Sequence, residues 1–137
     1  MNILLLDDDG DCIDNLAAVL EPAGHWCDKF TVPGAALEAY ARNQYDAVII
    51  GMKMPVLNGI EILKQIRYLN PEAKIIINTG CGDMDAVIAA VNSGVDAFFC
   101  KPVDVFKLIE TLEKIELEIT EQMLILSTPG WLENILG

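Results

Sequence analysis

Short apolar runs recur along the chain at residues 2–6, roughly 25–30, 46–50, 74–78 and 96–100, and the segments between them carry helical periodicity. Ile3-Leu4-Leu5-Leu6, Ala47-Val48-Ile49-Ile50 and Ile75-Ile76-Ile77 are continuous rather than alternating, the pattern of parallel strands covered on both faces. Ile13, Leu16, Ala17 and Leu20 fall at i, i+3, i+4, i+7, and so do Met84, Val87, Ile88 and Val91, so each set predicts a helix with one buried stripe. Asp83 is placed to cap an N-terminus, Gly94 to close a C-terminus, and Asn70-Pro71 to stop the third helix. The second run, with His25, Trp26, Cys27 and Lys29, is the most polar and suits an edge strand, with His25 and Trp26 expected to pack.

This alternation predicts an α/β fold: a doubly wound, five-stranded parallel sheet in the flavodoxin-like order 2-1-3-4-5, with helices on both faces. Ligands of such sheets sit at the carboxyl ends of the strands, beside the switch between strands one and three. Four groups meet at that rim: Asp7-Asp8-Asp9, Gly51-Met52-Lys53-Met54-Pro55, Asn78-Thr79-Gly80 and Lys101-Pro102. Adjacent carboxylates repel one another and favour a hard cation such as Mg²⁺, while a hydroxyl and a lysine suit a phosphoryl oxygen. Read singly, Asp7-Asp8-Asp9 is a solvated turn with an N-cap, and Thr79 a strand-end hydroxyl bonded to local backbone.

Taken together these residues resemble the response-regulator receiver family of two-component signalling. An acidic pair ending strand one (Asp7, Asp8), a hydroxyl ending strand four (Thr79) and Lys101-Pro102 ending strand five match its pattern. So does the stretch from Tyr45 to Gly59, with Met54-Pro55 and Asn58-Gly59 fixing its register. The resemblance covers residues 1–119 and leaves 120–137 as an apolar C-terminal extension. It implies Asp8 as a direct Mg²⁺ ligand, Asp7 as a water-mediated one and the backbone carbonyl of Lys53 as a third contact. It also implies Thr79 and Lys101 as phosphoryl contacts, Phe98 as a switch aromatic and a cis peptide before Pro102. Ordinary core packing is the simpler reading of Phe98. Where the family carries its phosphoacceptor aspartate this sequence has Gly51, so no catalytic nucleophile is present there and Mg²⁺ binding is expected to be weak or absent. Asp46 begins strand three, a strand's length away, and Asp83 and Asp85 are better explained as helix-cap and dipole partners.

The implied function is that of a receiver without its phosphoacceptor, a protein-interaction module rather than an enzyme, meeting a histidine kinase or another signalling protein. An ordinary phosphorylatable receiver with an introduced Asp-to-Gly change at 51 stays open. A nucleotide-binding or enzymatic domain of the same fold is weaker, since no glycine-rich loop follows strand one. The net charge of −12 opposes nucleic acid binding. No apolar run approaches a membrane span, and the first residues lack a secretory pattern, so a cytoplasmic location is expected. The four cysteines have no paired spacing and read as reduced structural thiols. The last helix should start at Asp104, carry Val105, Leu108, Leu112, Ile115 and Ile119 on one face, and run on towards Leu126. After the Ser127-Thr128-Pro129-Gly130 break, Trp131, Ile135 and Leu136 would either fold back on their own domain or contact a partner. A homodimer through helix four, strand five, helix five or the extension is the partner expectation.

Overall fold

The computed structural model describes residues 1–52, 56–80, 82 and 84–136. Strands β1 (Asn2–Leu6), β2 (Trp26–Phe30), β3 (Ala47–Met52), β4 (Ile75–Thr79) and β5 (Ala97–Cys100) alternate with helices α1 (Gly10–Leu20), α2 (Pro33–Arg42), α3 (Val56–Leu69), α4 (Met84–Asn92) and α5 (Val105–Ser127). A sixth helix, α6 (Gly130–Leu136), follows. All strand pairs are parallel and the order is β2-β1-β3-β4-β5, as the alternation of apolar runs predicts. The polar β2 lies at the edge.

Successive strand residues point to opposite faces, which divides the core in two. Leu4, Leu6, Val48, Ile50, Ile75 and Ile77 pack beneath α2, α3 and α4. Ile3, Leu5, Ala47, Ile49 and Ile76 pack beneath α1 and α5. The first helix buries Ile13, Leu16, Ala17 and Leu20 as predicted, and Asp9 caps it by accepting from the amides of Asp11 and Cys12 at 3.1 and 3.3 Å. Asp104 caps α5 in the same way through Phe106 and Lys107. Gly94 takes a φ of +79° just past α4, a left-handed turn that glycine adopts without a Cβ clash. Asp83, the predicted α4 cap, lies outside the described residues.

Several expectations are corrected. On α4, among the described side chains, Ala90 is buried in the core and Val87 is half-buried, whereas Met84, Ile88 and Val91 are exposed. The buried stripe is rotated from the predicted one because a small alanine, not the large apolar residues, meets the sheet. Trp26 is also exposed, since an edge strand leaves part of its surface uncovered, while His25 is buried beside the chain's first nitrogen. Cys100 is disulfide-bonded rather than reduced, with its partner outside the described residues, and Cys12 and Cys27 are free thiols. Spacing along the chain does not say which cysteines a fold brings together. At the C-terminus Leu108, Leu112 and Ile115 are buried, but Met123 to Leu126, Trp131 and Ile135 are exposed. Trp131 and Ile135 therefore do not fold back to cover their own domain.

Candidate functional site

The alternation that builds the core also builds the rim. Ile3 and Leu5, Ala47 and Ile49, Ile76, and Ala97 and Phe99 all face the α1 and α5 layer. Two residues further along each strand, or at its next same-face position, come Asp7, Gly51, Asn78 and Lys101. Gly51 and Asn78 are direct register partners between β3 and β4.

Asp7 is 1% exposed and sits at the centre of this group. Its Oδ2 accepts from Lys101 Nζ at 2.7 Å, and its Oδ1 accepts from the Asp9 amide at 3.0 Å. Burial alone would push the Asp7 carboxyl up. The Lys101 hydrogen bond, the Asp9 amide and the lysine charge outweigh it and hold the group below its ordinary value of 3.8. Lys101 shows the mirror image, with burial lowering its pKa and the Asp7 hydrogen bond and charge raising it above 10.5. The neighbouring Cys12 thiol is pushed up, first by burial and then by the Asp7 carboxylate, so it stays protonated at neutral pH.

Gly51 is what allows this arrangement. A Cβ built on it would overlap the Asp7 carboxyl group and lie 2.9 Å from the Asp7 Cβ. The aspartate thus lies directly against the glycine backbone, in the space a side chain at position 51 would need.

The other predicted residues are placed less centrally. Asp8 is exposed. The backbone carbonyl of Lys53 lies outside the described residues. Thr79 is buried at the end of β4, and its carbonyl accepts from the Lys101 amide at 2.6 Å. The Lys101–Pro102 peptide is cis. Phe98 pairs in register with Ile77 and packs on the opposite face, against the α2 to α4 core. Asp46 bonds the Asn2 amide at 2.7 Å at the far end of the sheet. Among the described residues no group of three or more His, Cys, Asp or Glu could hold a metal ion.

Sequence reading passed over Asn78 in favour of its neighbour Thr79. Asn78 is 2% exposed, and among the described residues its Oδ1 has no hydrogen-bond partner. The signal available was its place after Ile75-Ile76-Ile77, which puts a polar residue at a core position.

The chain matches the response regulator receiver domain family over residues 3–113 and belongs to it. It is 31% identical over 114 residues to the chemotaxis protein CheY of Thermotoga maritima, covering 82% of this chain and 95% of that protein. To the transcriptional regulatory protein QseB of Haemophilus influenzae it is 31% identical over 116 residues, 85% of this chain but 51% of the relative, so it spans about half of that protein's length. The crystal structure of a response regulator receiver domain protein from Clostridium thermocellum superimposes with a TM-score of 0.78 at 32% identity, covering 90% of this chain and 98% of that one. The chain is thus a receiver domain of two-component signalling with the flavodoxin-like fold. No helix among the described residues is long and apolar enough to cross a membrane.

Removing the lysine should expose the cost of the buried carboxylate. Lys101→Met is expected to lower stability in urea titrations by about 3 kcal/mol at neutral pH, because it leaves Asp7 charged and unpaired. The pH dependence fixes the sign. In the wild type Asp7 has a depressed folded pKa, so its contribution is present above the ordinary carboxylate value and is lost as the pH falls through the folded one. In the variant burial dominates and the folded pKa rises, so acidification relieves the penalty. The stability deficit should therefore shrink from about pH 7 to about pH 4, and a deficit that stays constant or widens contradicts the pairing.

Proposed function

We propose that this receiver domain signals through protein contact without carrying an aspartyl phosphate, because Gly51 stands at the phosphoacceptor position and offers no carboxylate. One observation supports this reading above the rest: the buried Asp7 carboxylate lies against Gly51 and binds Lys101 at 2.7 Å. The lysine suited to meet a phosphoryl oxygen already has an anionic partner of its own. Thr79 remains at its strand end, but with no acceptor at 51 it has no phosphoryl group to follow.

The donor set fits Mg²⁺ poorly. Both Asp7 oxygens are engaged, one by an ammonium and one by an amide, and residue 51 supplies none. Asp8, and Lys53 through its carbonyl, would remain as contacts to an ion that keeps most of its waters.

The output of this module is read at protein surfaces, with a histidine kinase or another signalling protein as partner. On α4 Met84, Ile88 and Val91 are exposed by 70%, 50% and 56%, and on α5 Phe106 is exposed by 86%, apolar residues of the kind that mark interaction sites. The extension at 120–137 adds a second one. Met123, Leu124, Ile125 and Leu126 are consecutive and all exposed, so this end of α5 is apolar around its circumference and α6 leaves it uncovered. Such a helix is stable when buried by another surface, and a second copy of the chain supplies one by two-fold symmetry. The acidic surface disfavours nucleic acid as a partner, the module is not an enzyme, and its setting is the cytoplasm.

Incubation with acetyl phosphate and Mg²⁺ followed by intact-mass measurement should give no adduct; a stoichiometric phosphate on the wild-type chain would overturn the proposal. Gly51→Asp must drive Asp7 from its seat and return a carboxylate to the rim, so Mg²⁺ affinity should rise, whereas equal affinity before and after would remove Asp7 and Asp8 as the metal pair. For the extension, light scattering should show a dimer that truncation after Ile119 converts to a monomer. A full-length chain that is monomeric removes the dimer proposal.

A further inference from the structure

Cys100 ends β5 in a disulfide, while Cys12 and Cys27 are free thiols. The sequence holds four cysteines, so Cys81 is the one left to pair with Cys100. Chain connectivity agrees. Thr79 and Cys100 are register partners across β4 and β5, and the Lys101 amide donates to the Thr79 carbonyl at 2.6 Å. Position 81 follows Thr79 by two residues of chain, which span at most ~7 Å, and adjacent strands lie ~4.8 Å apart, so the two cysteines are within reach of one another.

The thiols differ in what they can do. Burial pushes the Cys27 thiol up to about 11, and burial together with the Asp7 carboxylate raises that of Cys12, so both stay protonated and inert at neutral pH. Cys100 is exposed and lies outside both buried core clusters, so its bond is open to small thiols and is not what holds the core. In the cytoplasmic setting proposed above the thiol pool is reducing, and a disulfide that forms there is characteristically transient and redox-sensing. The ring it closes contains residues 82–99, and with them the whole of α4. Closing it removes conformational freedom from that segment, and α4 is the helix that leaves Met84, Ile88 and Val91 exposed.

We infer that Cys100 is a redox modification site, making and releasing a disulfide with Cys81 by exchange with a small disulfide such as oxidised glutathione, and that the bond restrains α4 and so regulates the apolar residues it exposes. In the oxidising direction one cysteine thiolate attacks the small disulfide, a mixed disulfide forms and one small thiol leaves; the second cysteine thiolate then displaces the other. Two electrons pass from the cysteine pair to the small disulfide, and the two protons given up by the cysteines end on the two released thiols. The consequence for signalling rests on the protein-contact reading above, whereas the exchange chemistry does not.

The test is to equilibrate the full chain in buffers of rising ratio of reduced to oxidised glutathione, quench in denaturant with N-ethylmaleimide, and read intact mass and peptide maps. The oxidised end should show alkylation of Cys12 and Cys27 alone, the reduced end alkylation of all four cysteines, with reversible passage between them. Reduction should lower the melting temperature by about 5 to 10 °C and speed hydrogen exchange at Ile88 and Ala90 by about tenfold or more, while leaving the amides of β1 and α1 unchanged. Cys100→Ser should behave as the reduced chain in both buffers, and Cys12→Ser should switch as the wild type does. If Cys100→Ser does not fold, the reduced wild-type chain supplies the same comparison. Alkylation that does not change with the ratio, a lasting glutathione adduct on Cys100 in place of the ring, or equal exchange of α4 in the two states would overturn the inference. No phosphodonor or partner enters these measurements, so such a result leaves the protein-contact reading standing, while a phosphate adduct on the wild-type chain would overturn that reading and leave the exchange intact.

Discussion

A carboxylate that is 1% exposed needs a positive partner, and in this chain Asp7 finds one ninety-four residues away. The bond to Lys101 closes across the carboxyl ends of β1 and β5, two strands that are not neighbours in the sheet. It can do so because Gly51, the next-to-last residue of β3, the strand between β1 and β4, has no side chain to occupy the space of the Asp7 carboxyl. Had position 51 carried even a methyl group, it would have taken the space of the Asp7 carboxyl. Gly51, Asp7 and Lys101 therefore depend on one another: the glycine makes room, the aspartate fills it, and the lysine keeps the aspartate ionised against the push of burial.

The start of α1 is tied to the same point. The Asp9 amide donates to Asp7, and the Asp9 side chain in turn caps α1, so the helix that roofs one face of the sheet is set by the residue that anchors the rim. The family's chemistry needs a free carboxylate at the end of strand three and a lysine able to meet the phosphoryl group it acquires. In the function proposed above, Gly51 leaves the first missing, and the second is already held by Asp7. What the fold retains is its frame and its surfaces, which is why protein contact is the function the geometry supports best.

The fold was readable because its strongest signals are local. Continuous runs such as Ile75-Ile76-Ile77 mark strands covered on both faces, and Asp104 and Gly94 mark helix ends through backbone chemistry that neighbours hardly alter. The rim was readable for the same reason, since strand ends follow from strand positions. What the sequence could not convey depends on distance in space. Asp7 as the lysine's partner requires knowing that Gly51 leaves a seat for it. The rotated face of α4 depends on how closely Ala90 approaches the sheet, and Trp26 stays exposed because nothing packs beyond the edge strand. The disulfide at Cys100 and the Asn78 Oδ1 that has no hydrogen-bond partner among the described residues are likewise products of the assembled fold, although the position of Asn78 at the end of an isoleucine run carried a hint.

The central claim is that Asp7 is held ionised by Lys101 over the bare backbone of Gly51. Its most direct test is the titration of the Asp7 carboxyl carbon by NMR in the intact protein. The expected midpoint lies below the ordinary carboxylate value of 3.8, with the Lys101 side-chain nitrogen responding to the same transition. A midpoint at or above that value, with no response from the lysine, would show that burial wins and that the pair does not organise the site.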